Sequence, residues 1–122
     1  MFELSVIGHF EAAHRLVEYD GKCENLHGHN YKVKLTISVD TLDKIDLGVD
    51  FGRLKEDLKK VTDLIDHKYL NELDYFDGHN PSAEIISKVI YEKMKETAQG
   101  DYTISKVTVW ETENSSATYF EP

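Results

Sequence analysis

Three histidines and a cysteine lie close enough in sequence to build a metal centre: His14 in Glu11-Ala12-Ala13-His14-Arg15, then Cys23-Glu24-Asn25-Leu26-His27-Gly28-His29. Histidines at i and i+2 of an extended segment share a face, because strand side chains alternate, and an imidazole from a neighbouring strand completes a set of three. Three neutral imidazoles leave the fourth tetrahedral position of zinc open, which is the arrangement of a catalytic rather than a structural site. The expected cofactor is therefore Zn2+ held by His14, His27 and His29. Cys23 has three readings: a small buried hydrophobe, a fourth ligand that closes the site, or a thiolate proton acceptor beside the metal.

The elements that must position these residues are legible in the hydrophobic pattern. From Tyr31 to Val39 the odd positions are apolar (Tyr31, Val33, Leu35, Ile37, Val39) and the even positions polar, the alternation of a half-buried strand. His27 and His29 are in phase with the apolar row. In the first segment the even positions Phe2, Leu4, Val6, Phe10 and Ala12 lead to His14, while His9, being odd, is expected to face the other way. If the two segments pair as antiparallel neighbours, the three in-phase imidazoles converge at one end of one sheet face.

Two further titratable features sit downstream. Val107, Val109 and Glu111 share one face of a third strand, so Glu111 is in phase with an apolar row. A carboxylate there needs a partner, unless the strand end opens to solvent; a ligand with adjacent nitrogen donors would satisfy it through two parallel hydrogen bonds. The pair Asp66-His67 follows a helical segment directly. It reads either as a helix C-terminal histidine stabilised by the dipole or as a carboxylate that fixes an imidazole for proton transfer.

A chain of 122 residues forms one domain, here residues 1–122, and its 40% hydrophobic content is ordinary for a globular protein. Lys+Arg of 14 against Asp+Glu of 23 gives a net charge of -9, which argues against nucleic acid or an anionic membrane as partner and requires a local basic pocket for any anionic substrate. Arg15, Lys22 and Lys68 are candidates for that pocket. The single cysteine forms no internal disulfide, and no signal-peptide pattern or membrane-length apolar run is present, so a cytoplasmic location is expected.

Beyond a turn-rich stretch from Asp40 to Asp50, Phe51, Leu54, Leu58, Val61 and Ile65 recur at helical spacing and predict a helix ending near Asp66. Asn80-Pro81 reads as an N-cap and first helical residue, predicting a second helix from about Pro81 to Ala98 that Gly100 terminates. Strands from Ile104 to Glu111 and from about Ala117 to Phe120 follow, joined by a turn containing Asn114-Ser115-Ser116. The predicted order is ββααββ, an α+β domain with a four-stranded antiparallel sheet and two helices on one face.

Several stretches together resemble the family of 6-pyruvoyltetrahydropterin and 6-carboxytetrahydropterin synthases: Ala12-Ala13-His14, Cys23-x-x-x-His27-Gly28-His29, Asp50-Phe51, Leu64-x-Asp66-His67-x-Tyr69-Leu70-Asn71, Asn80-Pro81-Ser82-Ala83-Glu84 and Glu111-Thr112. The resemblance runs in order from about Phe2 to the C-terminus. It implies the tunnelling fold, with sheets joined into a trimeric barrel and two trimers stacked as a homohexamer, active sites at subunit junctions, and 7,8-dihydroneopterin triphosphate as substrate. It carries the zinc ligands onto His14, His27 and His29, the catalytic cysteine onto Cys23, and the assisting acid/base pair onto Asp66 and His67. The pterin-anchoring carboxylate falls on Glu111, with Ser82 and Thr112 as further substrate contacts. The family usually has Asn-Pro-Thr, then Ser or Thr, then Glu; here Ser82 keeps a hydroxyl and Ala83 does not.

The spacing of Cys23 to His27-Gly28-His29 resembles the bacterial 6-carboxytetrahydropterin synthases of queuosine and deazapurine synthesis. Glu24, three positions before His27, resembles a variant that forms 6-hydroxymethyl-7,8-dihydropterin for folate synthesis. Having both residues resembles the subgroup that serves both pathways, although Glu24 also reads as a solvated loop residue. The implied activity is a zinc-dependent lyase releasing triphosphate and acetaldehyde. The competing readings are a 6-pyruvoyltetrahydropterin synthase, a different three-histidine zinc hydrolase, and a structural zinc module closed by the cysteine and the three histidines.

Overall fold

The computed structural model describes residues 1–17, 26–98 and 102–122, with the side chain of His27 outside the description. Two long strands, β1 (Phe2–His14) and β2 (His27–Val39), pair antiparallel along their whole length, from Phe2 opposite Val39 to His14 opposite His27. The alternation read from sequence is the alternation found: Val6, Phe10 and Ala12 of β1 and Tyr31, Val33, Leu35 and Ile37 of β2 are buried, and His9 is exposed on the other face. The cross-strand partners Phe10 and Tyr31 stack with ring centroids 4.8 Å apart. This pair closes the apolar core directly beneath the histidines.

Helix α1 (Phe51–Thr62) lies over β1, and α2 (Ala83–Thr97) over β4 (Thr103–Thr112) and β5 (Ser115–Phe120). Leu54, Leu58 and Val61 face inward from α1, and Ile86, Val89, Ile90 and Met94 from α2. Burying side chains of this size contributes about 1.5–3 kcal/mol each before entropy is counted. Gly8 sets how close α1 comes to β1, since a Cβ there would lie 3.0 Å from Leu58 Cδ2.

The sheet has five strands, in the order β3-β1-β2-β4-β5, rather than the four expected. The extra one, β3, is only Lys68–Tyr69 and runs parallel to β1, opposite Ala12 and Ala13. It exists because the chain turns sharply after α1: His67 adopts a left-handed backbone (φ 58) and its N–H donates to the carbonyl of Glu11 at 2.6 Å. Two 3-10 turns, Leu70–Glu72 and Asp74–Phe76, then lead to α2.

Both helix boundaries differ from expectation. Helix α1 ends at Thr62; residues 63–66 continue as hydrogen-bonded turns, with Asp66 N–H still donating to the carbonyl of Thr62 at 2.9 Å, which keeps Ile65 in helical phase and buried. Helix α2 is capped by Ser82, whose Oγ accepts from Ile85 N–H at 3.2 Å, and not by Asn80. Asn80 is engaged elsewhere: its Oδ1 accepts from Val17 N–H at 2.8 Å and its Nδ2 donates to the Val17 carbonyl at 2.7 Å. Strands β4 and β5 pair antiparallel, but the turn is shorter than expected, Glu113 and Asn114 alone: Ser115 and Ser116 already belong to β5, with Thr112 opposite Ser115 and Trp110 opposite Ser116. Gly100 lies outside the described residues.

Candidate metal centre and acid/base pair

The β1–β2 register brings His29 opposite Ala12 and His27 opposite His14, at the end of the sheet where β1 stops. Strand β4 lies against β2 with Trp110 opposite Lys32, so the next residue, Glu111, reaches the same end. Its Oε1 lies 3.2 Å from His14 Nε2 and 3.1 Å from His29 Nε2. Among the described residues, His14, His29 and Glu111 thus form a group that could hold a metal ion, each offering one ligand atom and all of these within 4.8 Å of one another.

The environment of His14 fixes how it can act. Its ring is buried and its Nδ1–H donates to the carbonyl of Pro81 at 2.8 Å; a carbonyl only accepts, so the proton of a neutral imidazole belongs on Nδ1. The lone pair then sits on Nε2, facing a carboxylate oxygen at 3.2 Å. Two electron-rich atoms at that separation call for a proton or a cation between them. A divalent metal fits, and imidazole and carboxylate are zinc donors. The Tyr31 hydroxyl lies 3.3 Å from the same Nδ1, and burial, reinforced by the charge of Glu111, raises its pKa and keeps it protonated.

Asp66 and His67 meet as a pair, with Asp66 Oδ1 3.0 Å from His67 Nδ1. Glu11 is their partner on β1: its N–H donates to Asp66 Oδ1 at 2.9 Å, and its Oε2 lies 3.3 Å from His67 Nε2. The backbone bond from Glu11, more than the neighbouring imidazole, holds the Asp66 carboxyl below the usual carboxylate range. His29 and His67 both line a groove of about 490 Å3 along the β1–β3 edge, together with Glu11, Gly28, Lys68 and Tyr69. One member of the metal group, His29, and one of the Asp66-His67 pair therefore border the same groove. The Arg15 guanidinium donates to the Tyr69 hydroxyl at 3.3 Å, beside it.

The remaining candidates have local roles in the structure. Ser82 caps α2 immediately after Pro81, and a hydroxyl that accepts there still has a proton to donate. Thr112 follows Glu111, and its Oγ1 accepts from Asn114 N–H at 3.3 Å. Cys23, Glu24 and Lys22 lie outside the described residues, as does the side chain of His27. Sequence reasoning missed Glu11, Tyr31 and the Pro81 carbonyl. Of these, Tyr31 alone carried a signal, as the apolar-phase residue next to His29.

Comparison with known proteins bears on the family and the fold. The chain is 34% identical over 143 residues to the 6-carboxy-5,6,7,8-tetrahydropterin synthase of Haemophilus influenzae, covering 99% of this chain and 100% of that one. Its fold matches the 6-pyruvoyl tetrahydropterin synthase of Caenorhabditis elegans with a TM-score of 0.88 at 25% identity, covering 99% of this chain and 96% of that one. It also matches, at TM-score 0.81 and 22% identity over 98% of this chain and 97% of the other, the Plasmodium vivax 6-pyruvoyltetrahydropterin synthase solved with a catalytic glutamate replaced by alanine or by cysteine. The last similarity speaks to fold alone. With the model of the 6-pyruvoyl tetrahydropterin synthase family matching residues 3–122, nearly the whole chain, the protein belongs to that family.

Proposed function

We propose that the protein is a zinc-dependent 6-carboxytetrahydropterin synthase, converting 7,8-dihydroneopterin triphosphate and water to 6-carboxy-5,6,7,8-tetrahydropterin, triphosphate and acetaldehyde. The observation that carries the reading is the convergence of His14 Nε2, His29 Nε2 and Glu111 Oε1, with His14 oriented by the Pro81 carbonyl. The Haemophilus influenzae relative bears the name of the same activity.

His14, His27 and His29 would hold the ion. Bound zinc supplies a Lewis acid that offsets negative charge developing next to the carbon-hydrogen bond being broken. Cys23 as thiolate takes and returns protons, and His67, oriented by Asp66, serves as the second acid/base. Glu111 turns from the histidines to accept two nitrogen donors of the pterin ring, a movement its one-third exposed side chain permits. Ser82 and Thr112 contribute hydroxyls to the substrate, and Arg15, Lys22 and Lys68 supply positive charge for the triphosphate in a chain of net charge -9.

Glu24 next to Cys23 favours a second product, 6-hydroxymethyl-7,8-dihydropterin, so that one site would feed both queuosine and folate synthesis. The working assembly is a homohexamer of two stacked trimers. Among the described residues the sheet is open, with β5 paired only to β4, and edges of this kind are removed by joining sheets around an axis. A cytoplasmic location suits the lone cysteine; among the described residues no helix is long and apolar enough to cross a membrane.

Diffraction at the zinc absorption edge from crystals soaked with a pterin tests the site. An anomalous peak roughly 2.0–2.1 Å from His14, His27 and His29, with Cys23 outside the coordination sphere, is expected. A peak closed by the Cys23 sulfur would favour a structural module, and no peak would end the metal reading.

A further inference from the structure

The β1–β2 ladder stops at His14 and His27, yet the backbone beyond His14 is not left to solvent. Arg15 N–H donates to Asn71 Oδ1 at 2.8 Å, and Asn71 Nδ2 donates to the Arg15 carbonyl at 2.7 Å. Two residues on, Asn80 makes the same pair of bonds to Val17, at 2.8 and 2.7 Å. In extended chain the N–H and C=O of residues i and i+2 point to the same edge, so the two carboxamides stand in for two rungs of a missing strand. Each uses both halves of its amide on one residue, which a carboxylate, an acceptor only, cannot do.

The chain positions of these clamps are informative. Asn71 lies four residues beyond His67, and Asn80 directly precedes Pro81, whose carbonyl orients His14. The clamped residues, Arg15 and Val17, form the stem from which the segment carrying Cys23 and Glu24 departs. We infer that Asn71 and Asn80 are positioning residues: along one edge they tie this stem both to the strand that follows His67 and to the turn that orients His14, so that the stem of the reactive segment, the His14 imidazole and the Asp66-His67 pair keep one register. The inference rests on the functional reading above for the roles of Cys23 and Glu24.

Asn71 gives the cleaner test, since Asn80 adjoins the metal-orienting turn. Cys23 is the sole cysteine, so iodoacetamide reports on it alone. In the full-length wild-type chain, zinc is expected to change the Cys23 alkylation rate by about tenfold through its effect on the thiol. In Asn71→Ala, with one zinc still bound per chain, that dependence should fall below about twofold; kcat for pterin conversion should drop by about 10–100-fold while KM stays within about twofold. Asn71→Asp keeps the bond from Arg15 N–H and loses the one to its carbonyl; it is expected to fall between the two, and serves if the alanine variant does not fold. An Asn71→Ala chain with the wild-type zinc effect and kcat would overturn the inference, as would a wild-type Cys23 indifferent to zinc. A wild-type chain that turns over no pterin would sink the functional reading instead, while the alkylation comparison would still judge the clamps.

Discussion

The Nδ1–H of His14 donates to the carbonyl of Pro81 at 2.8 Å, across 67 positions of sequence. A backbone carbonyl is a tautomer selector that no side-chain substitution removes, and it leaves Nε2 of a buried imidazole as the lone pair a metal would use. The same nitrogen is 3.2 Å from Glu111, which couples the metal group to the end of β4.

Loss of the imidazole should therefore cost more than loss of its neighbours. His14→Ala and His29→Ala are expected to weaken zinc binding by at least about 100-fold, whereas Tyr31→Phe, which leaves the Pro81 carbonyl in place, should cost less than about tenfold. Competition titration against a chromophoric chelator measures both. Equal losses in all three variants would contradict the assigned tautomer.

In the proposed function Glu111 would serve ring binding whichever product is formed. Glu111→Ala should depress formation of 6-carboxytetrahydropterin and 6-hydroxymethyldihydropterin together, with a raised KM in each. If only one product falls, Glu111 belongs to a single proton-transfer route rather than to substrate anchoring.

The neighbouring Cys23 and Glu24 should separate by product. Cys23→Ala is expected to lose 6-carboxytetrahydropterin formation and keep some 6-hydroxymethyldihydropterin formation, and Glu24→Gln to do the reverse, each by about 10²–10⁴ in its own rate. Unchanged product rates in Glu24→Gln would remove the dual-product reading and leave the carboxytetrahydropterin activity standing.

Asp66 links the acid/base pair to stability. Its folded pKa is depressed, chiefly by the Glu11 N–H, so its contribution is present above the unfolded carboxylate value of about 3.9 and is lost as pH falls through the lower folded value. Asp66→Asn should flatten the stability profile in that acid window. With the side chain one-third exposed the effect is small, and chemical denaturation at pH 3 and pH 6 compares it with wild type. A variant with the wild-type pH slope would refute the linkage.

How far the sequence led depends on whether a feature is local. The faces of β1, β2 and β4 follow from strict alternation, and the inward phase of Glu111 indicated a partner before the histidines were placed beside it. Strand β3 was not legible, because two residues carry no periodicity and its pairing to Ala12 and Ala13 depends on the left-handed turn at His67. Asn80 and Ser82 are both good caps by type; the choice between them was made by Val17, which occupies the Asn80 amide from 63 positions away. Glu11 could not be matched to Asp66 and His67 for the same reason: it sits on the polar phase of β1, and only the tertiary crossing after α1 brings them together.

The proposed assembly has its own test. Sedimentation of the zinc-loaded protein should give a hexamer, because pairing around a threefold axis covers the β5 edge. A stable and active monomer would contradict this.

The most direct test of the central claim is product identification from 7,8-dihydroneopterin triphosphate with the zinc-loaded wild-type chain. The account predicts 6-carboxy-5,6,7,8-tetrahydropterin with equimolar acetaldehyde and triphosphate, and loss of turnover on chelation that returns with zinc. Formation of 6-pyruvoyltetrahydropterin without acetaldehyde, or turnover indifferent to chelation, would contradict it.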